Sequence, residues 1–450
     1  MQILVSLSIS MLAGLLMSRL AKLLKLPAVT AYLVAGIMVG PFLLGALEFD
    51  FFGSEMNHLG FSPADFGLVP GIEKNSALEV ISDVALGFIA FAIGNEFRLN
   101  ELKTIGKQAT VIGILQAVVT TVIVDATLIA LSFAMPDVIS PSMAIILGAI
   151  ATATAPAATL MVVRQYKAKG KLTDLLLPIV ALDDAVGLII FSVSFGVARA
   201  MESGAFSIIS MFVNPLLEVV LSLGLGFIMG VLFTYCEKIF HSGSKRMSLS
   251  ITFVLLTVAL SKFHVSIGEL SIGFSSLLVC MMLGTIFCNM CDFSADIMDR
   301  ADKWTAPLFV LFFVLSGAEL RLDILTSVSV VLVGIVYIIS RSIGKYFGAF
   351  SSSNLMNCDP QIQKYLGITL LPQAGVALGM SAIVLQTMGE DGVLIRNIVL
   401  FAVLVYEIFG PVLTKMALTK AGEIKEKTTE GFDRAKFLAE GRHKHHHRNK

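Results

Sequence analysis

Charge is scarce in this chain. Only 15% of its 450 residues are Asp, Glu, Lys or Arg, against 56% that are hydrophobic, a balance that excludes an ordinary water-soluble domain of this size. The 33 basic and 33 acidic residues cancel, so no excess of one sign points to nucleic acid or to an acidic partner, and only the placement of charge is informative. Five cysteines make no disulfide framework. Cys288 and Cys291 form a single C-x-x-C without a second pair, read as incidental thiols at a helix end. The first apolar stretch is long and lacks a basic start, so no cleavable signal peptide is expected.

What the chain has instead is apolar length. Thirteen segments stand out, at 3 to 21, 28 to 47, 76 to 97, 107 to 134, 141 to 163, 172 to 200 and 210 to 236, then 247 to 263, 268 to 288, 304 to 320, 324 to 350, 361 to 387 and 393 to 418. A bilayer core takes about 20 apolar residues of helix, so the expected fold is an all-α polytopic membrane protein of about thirteen transmembrane helices. Lys and Arg alternate between the connections. One set holds Arg19, Lys22, Lys25, Arg98, Lys103, Lys107, Arg164, Lys167, Lys169, Lys171, Lys238, Lys245, Arg246, Arg300, Lys303 and Lys364; the other holds only Lys74, Arg199, Lys262, Arg321 and Arg396. The positive-inside rule then predicts an N-terminus outside and a short cytoplasmic tail at 419–450.

Within the sixth segment lie two adjacent acids, Asp183 and Asp184. An Asp at the centre of a membrane helix costs roughly 2.5 to 3.5 kcal/mol, so a pair persists only where water, a counter-charge or a bound ion offsets it. Neighbours on a helix point about 100° apart, so the two carboxylates are free to take different roles. Their mutual repulsion favours proton exchange near neutral pH. An ion or proton site is the expectation.

An internal repeat runs through the chain. Gly94-Asn95-Glu96-Phe97-Arg98-Leu99 ends the third segment and Gly317-Ala318-Glu319-Leu320-Arg321-Leu322 ends the tenth, 223 residues later. Seven spans separate them, an odd number, which makes the halves inverted. The same offset carries Asp184 onto Glu407 and brings the fifth segment near the twelfth. Both of those are interrupted, by Pro156 in the run from Ala151 to Ala157 and by Pro372 in the run from Thr369 to Gly379. A proline removes a backbone donor and unsettles the preceding turn, leaving carbonyls available to a cation. Two crossed broken helices at a repeat interface are the transporter pattern, and Thr152 and Thr154 fall in the first break as candidate ligands.

Arg341 and Lys345 in the eleventh segment are four apart on one helical face. Being too deep to snorkel easily, they are expected to partner Asp183, Asp184 and Glu407. Asp125 is read as structural; Asp83 and Glu79 either line an access funnel or solvate a helix end. Glu96 and Glu319, each beside an Arg, are expected to pair locally. His443, His445, His446 and His447 belong to a tail read as disordered.

These residues resemble the monovalent cation/proton antiporter superfamily, and within it the two-aspartate sodium/proton antiporters. The resemblance covers residues 1–418. It rests on Leu26-Pro27 with Tyr32 to Pro41, on Thr152 to Pro156, on Asp183-Asp184, on Gly344-Lys345 with Gly348, and on Leu371-Pro372-Gln373-Ala374-Gly375. It implies a core bundle, placed around segments 3–6 and 10–13, moving against a dimerisation bundle formed by the rest. It also implies that Asp184 binds the cation, while Lys345 pairs with Asp183 in the empty site. The implied function is exchange of a monovalent cation, Na+ first, for protons by alternating access, electrogenically, in the plasma membrane as a homodimer, with no enzyme activity and no cofactor. A potassium/proton antiporter or potassium efflux system is the alternative, although the tail after the last segment holds no G-x-G-x-x-G. An intramembrane aspartyl protease would need a Tyr-Asp or Gly-x-Gly-Asp segment, and the sequence has neither.

Overall fold

The computed structural model describes residues 2–24, 28–47, 60–66, 76–95, 97–155, 159, 162–163, 166–202, 213–267, 270–323 and 327–424. Pro156, Glu96, the Leu26-Pro27 pair and the histidine-rich tail lie outside the described residues. The helices are α1 (Gln2–Leu24), α2 (Ala28–Val39), α3 (Ser76–Asn95), α4 (Leu99–Ala134), α5 (Pro141–Ile150), α6 (Lys171–Glu202) and α7 (Asn214–Ile239). They continue as α8 (Gly243–Ser261), α9 (Ser276–Met290), α10 (Ser294–Ala318), α11 (Val328–Leu355), α12 (Pro360–Thr369), α13 (Gly375–Thr387) and α14 (Gly389–Lys420). Between α8 and α9 sits a small antiparallel hairpin, β1 (Val265–Ile267) with β2 (Leu270–Ile272), in which Val265 faces Ile272.

Among the described residues nine helices are long and apolar enough to cross a membrane, and a tenth, α10, is bent by 44° near Ala301 and Lys303. The other three expected segments hold shorter apolar helices, α5, α9 and α13. The chain is thus helical and polytopic, with nine or ten full-length crossings by this measure rather than thirteen. Leucines at 4, 12, 16 and 23 of α1 are exposed, as a lipid-facing helix requires.

Helices in lipid gain no hydrophobic drive from one another and associate where small residues let backbones approach. Two crossings here are that close. A Cβ on Gly94 of α3 would lie 1.8 Å from the Met281 carbonyl of α9, and one on Gly36 of α2 would lie 2.0 Å from the Val314 carbonyl of α10. The reciprocal glycines, Gly284 and Gly317, come equally near Phe91 and Leu33. The 223-residue offset carries Gly94 onto Gly317, so the two crossings are counterparts in the two halves. α3 and α10, expected beside the aspartate helix, pack chiefly on α9 and α2, whereas α4, α5, α6 and α11 to α14 pack with one another.

At the centre of that second group α4 and α11 run against each other, because Gly344 fits on Thr120 and Gly348 on the Gln116 carbonyl. The start of α6 is held by a residue far along the chain. Glu423, just beyond α14, accepts hydrogen bonds from the Leu172 and Thr173 amides at 2.6 and 2.8 Å and from the Thr173 hydroxyl at 2.7 Å, satisfying donors that a helix N-terminus otherwise leaves open. The transmembrane unit therefore continues past the expected boundary at 418, and Ile424 is buried with it.

Candidate functional site

α5 begins with Ser140 capping the Met143 amide and Pro141 in the first turn, and it stops at Ile150. Residues 151–155 are non-helical, with helix again at Thr159. In the repeat-related position α12 stops at Thr369, residues 370–374 are unwound, and α13 starts at Gly375. The two breaks meet. The Ala155 amide donates to the Pro372 carbonyl at 2.8 Å, Gln373 Nε2 donates to the Ile150 carbonyl at 3.0 Å, and the Thr154 hydroxyl lies 3.3 Å from the Leu370 carbonyl. Pro372 itself nests against Gly410 of α14, where a Cβ would come within 2.9 Å of the ring.

Arg341 occupies the crossing. Its Nε donates to the Ala151 carbonyl at 2.9 Å, Nη2 to the Ala153 carbonyl at 2.7 Å and Nη1 to the Leu371 carbonyl at 2.7 Å, with the Tyr406 ring 4.4 Å from the guanidinium carbon. Its hydrogen bonds run to main-chain carbonyls of both halves, not to the carboxylates the sequence suggested.

Lys345, one turn on, is fully buried and pairs with Asp183, also fully buried, at 2.5 Å. The same ammonium donates to the Thr152 carbonyl, to the Thr154 hydroxyl at 3.0 Å and to Gln116 Oε1 at 3.3 Å. The Asp183 carboxylate in turn accepts from Lys345 and the Thr154 hydroxyl on one oxygen and from Gln116 Nε2 on the other. Asp184 is 2% exposed and close enough to act electrostatically on Lys345. The hydroxyl of Thr152 folds back on the Ala149 carbonyl, so this residue offers its main-chain oxygen to the site. Gly187 of α6 packs on that side chain, which seats the aspartate helix against the first break.

Glu407 is elsewhere. It is 1% exposed, and neither of its carboxylate oxygens has a hydrogen-bond partner among the described residues; Thr30 of α2 lies beside it. The expected pairing with Arg341 or Lys345 is absent. Asp125 sits against Gly148 of α5. Asp83 pairs with Lys262 at 2.8 Å and accepts from Gln386 at 3.2 Å. Glu319 binds Arg396 at 2.9 Å, 77 residues away, whereas the adjacent Arg321 turns to Asp323, whose hydrogen bond holds that guanidinium above its ordinary pKa. Arg396 is therefore a buried residue and not the loop charge its position suggested.

Gln116 is the site residue that the sequence reading missed. Its only signal was a lone amide inside the apolar run Ile114-Leu115-Gln116-Ala117-Val118. Beyond the site a cavity of about 640 Å³ opens between Gln108, Lys171, Asp174, Pro178, Cys358 and Asp359. Its wall runs along α6 toward Asp183. Burial pushes the Cys358 thiol up from its ordinary pKa, keeping it neutral there.

The family described as sodium/hydrogen exchanger, transmembrane, matches residues 7–420. The chain belongs to that family. It is a multi-pass cation/proton antiporter and not an enzyme. Among solved structures, that of the sodium proton antiporter MjNhaP1 from Methanocaldococcus jannaschii at pH 8 superposes with a TM-score of 0.68 at 19% identity, covering 95% of this chain and 100% of that one. A second structure of MjNhaP1, from an electron-microscopy map, gives 0.64 at 17% identity over 94% and 98%. At these identities the likeness is one of fold. No curated protein sequence matches.

Proposed function

We propose that this exchanger moves Na+ against protons by alternating access, with Asp184 as the principal cation ligand, Asp183 as its neighbour in the site and Lys345 as the charge that leaves Asp183 when the cation arrives. The observation that carries this reading is the fully buried Asp183 and Lys345 pair at the meeting point of two unwound stretches. A buried ion pair is costly unless the geometry is excellent, and a competing cation in the same cage of carboxylate, hydroxyl and carbonyl oxygens removes one reason for it to persist. Thr154 supplies the hydroxyl and Thr152 a carbonyl to that cage. Arg341 keeps the two breaks together, and the prolines at 156 and 372 account for them.

In this reading α4 to α6 with α11 to α14 move as a core against the remaining helices, which form the contact between two protomers in the plasma membrane. The N-terminus is outside, the tail inside, and the cavity beside Asp174 and Pro178 is the cytoplasmic access route. The burial of Arg396 strengthens this orientation, because it removes one of five basic residues counted on the outer side. Potassium exchange remains the alternative reading, decided by the same assay.

The test is cation-driven release of a proton gradient in proteoliposomes, run with Na+, K+ and Li+ in turn. Asp184→Asn is expected to abolish it while the protein stays folded, since an amide neither ionises nor releases a proton. Wild-type activity and unshifted apparent affinity in that variant would defeat the assignment; activity with K+ alone would replace Na+ by K+.

A further inference from the structure

Gln116 is fully buried, and both ends of its amide are engaged. Nε2 donates to Asp183 Oδ1 and, at 3.2 Å, to the Gly113 carbonyl, while Oε1 accepts from Lys345 Nζ at 3.3 Å. Chemistry fixes this orientation, because the flipped amide would set its carbonyl against the carboxylate and its NH2 against the ammonium. The backbone there is equally constrained: the Thr120 hydroxyl donates to the Gln116 carbonyl at 2.7 Å, and Gly348 of α11 packs directly on that oxygen. The amide is therefore carried on the most extensively packed helix pair of the core and not on either broken stretch. The charged groups it touches are Asp183 from α6 and Lys345 from α11, and Asp184 and Arg341 act on Lys345 in turn.

We infer that Gln116 is a positioning residue that holds the empty site in its ion-paired form, and so sets the cation concentration at which Lys345 lets go of Asp183. The inference rests on the exchange mechanism proposed above. The amide donates to the carboxylate and accepts from the ammonium, so it favours the charge-separated pair over every state in which one partner is neutral or engaged elsewhere. It takes up no proton itself, and exchange stoichiometry is independent of it. Its removal weakens the competitor of the transported cation. Two hydrogen bonds to charged groups are lost, which corresponds to about tenfold or more in an equilibrium constant.

The experiment compares wild type, Gln116→Met and Asp184→Asn, reconstituted in proteoliposomes and assayed over a range of Na+ concentration at one pH. Gln116→Met keeps the side chain's length without its polar ends. Its KM for the cation is expected to fall by about tenfold, because the ion pair yields more easily. A merely structural role would lower thermal stability and kcat without lowering KM. Gln116→Met with a KM matching wild type, while Asp184→Asn is silent, overturns this inference and leaves the exchange mechanism intact. Silence of the wild type itself defeats the mechanism and this inference with it. Should Gln116→Met fail to fold, Gln116→Asn, whose amide is drawn back by one methylene, is read against the same two outcomes.

Discussion

The Arg341 guanidinium reaches the Ala153 carbonyl at 2.7 Å, from a helix position 188 residues further along the chain. With its bonds to Ala151 and Leu371 it satisfies three main-chain acceptors that unwinding removed from their own helices. In hydrocarbon such groups have no water to turn to.

Arg341→Met is therefore expected to destabilise the protein before it affects ion selectivity. A buried acceptor left unpaired costs about 1 to 3 kcal/mol, and three are exposed at once. Thermal unfolding in detergent should show a large fall in midpoint. Arg341→Lys, which reaches fewer carbonyls, should recover part of it. A midpoint equal to wild type in Arg341→Met would rule out this bracing role.

Lys345→Gln separates transport from structure. If Lys345 releases one proton when the cation binds and an aspartate releases another, two protons exchange for one cation and one net charge crosses the membrane. That charge is worth about 2.3 kcal/mol per 100 mV. The variant loses one titrating group, so whatever exchange survives should no longer respond to voltage. Currents on solid-supported membranes, with and without a proton ionophore, measure this. No current in the wild type would refute the electrogenic reading, and a variant that is less stable yet equally voltage-sensitive would reduce Lys345 to a brace.

The two glycine crossings make a matched pair of tests. Gly94→Ala and Gly36→Ala each place a methyl within about 2 Å of a carbonyl on the facing helix, forcing the helices apart at a cost on the order of 1 to 3 kcal/mol. Because the crossings are counterparts in the two halves, both substitutions should lower the unfolding temperature by similar amounts. A large effect at one site and none at the other would show that the halves do not share this packing.

Orientation is open to direct labelling. Cysteine introduced at residue 168 should react with impermeant reagent from the cytoplasmic side, and cysteine at residue 62 from outside. Ala168 and Ser62 are both largely buried, so labelling needs the smallest reagents or mild opening. The reverse pattern would invert the assignment of the access cavity.

How much of this was legible in the sequence depends on what kind of signal each residue carries. Asp183, Asp184, Arg341 and Lys345 announce themselves, because a charge inside an apolar run is expensive. Pro372 marked a break whose existence the structure shows, but not that the break is bonded to its counterpart through Ala155. Gln116 stayed hidden because an amide in an apolar helix breaks no charge pattern. Glu407 was visible as a buried acid and assigned the wrong neighbours, since a repeat offset gives the equivalent place in the other half and not a contact. Glu319 and Arg396 show the opposite difficulty: nearness in sequence favoured Arg321, and only the approach of the end of α10 to the start of α14 brings the real partners to 2.9 Å.

The hold of Glu423 on the first turn of α6 has a consequence for the order in which the molecule is made. α6 ends at Glu202 and is synthesised long before Glu423, the acceptor for its Leu172 and Thr173 amides. A missing cap costs a helix end about 1 kcal/mol. The helix that carries both aspartates is thus inserted early and fastened late, and a nascent antiporter stalled before residue 423 has that helix in place but not yet anchored.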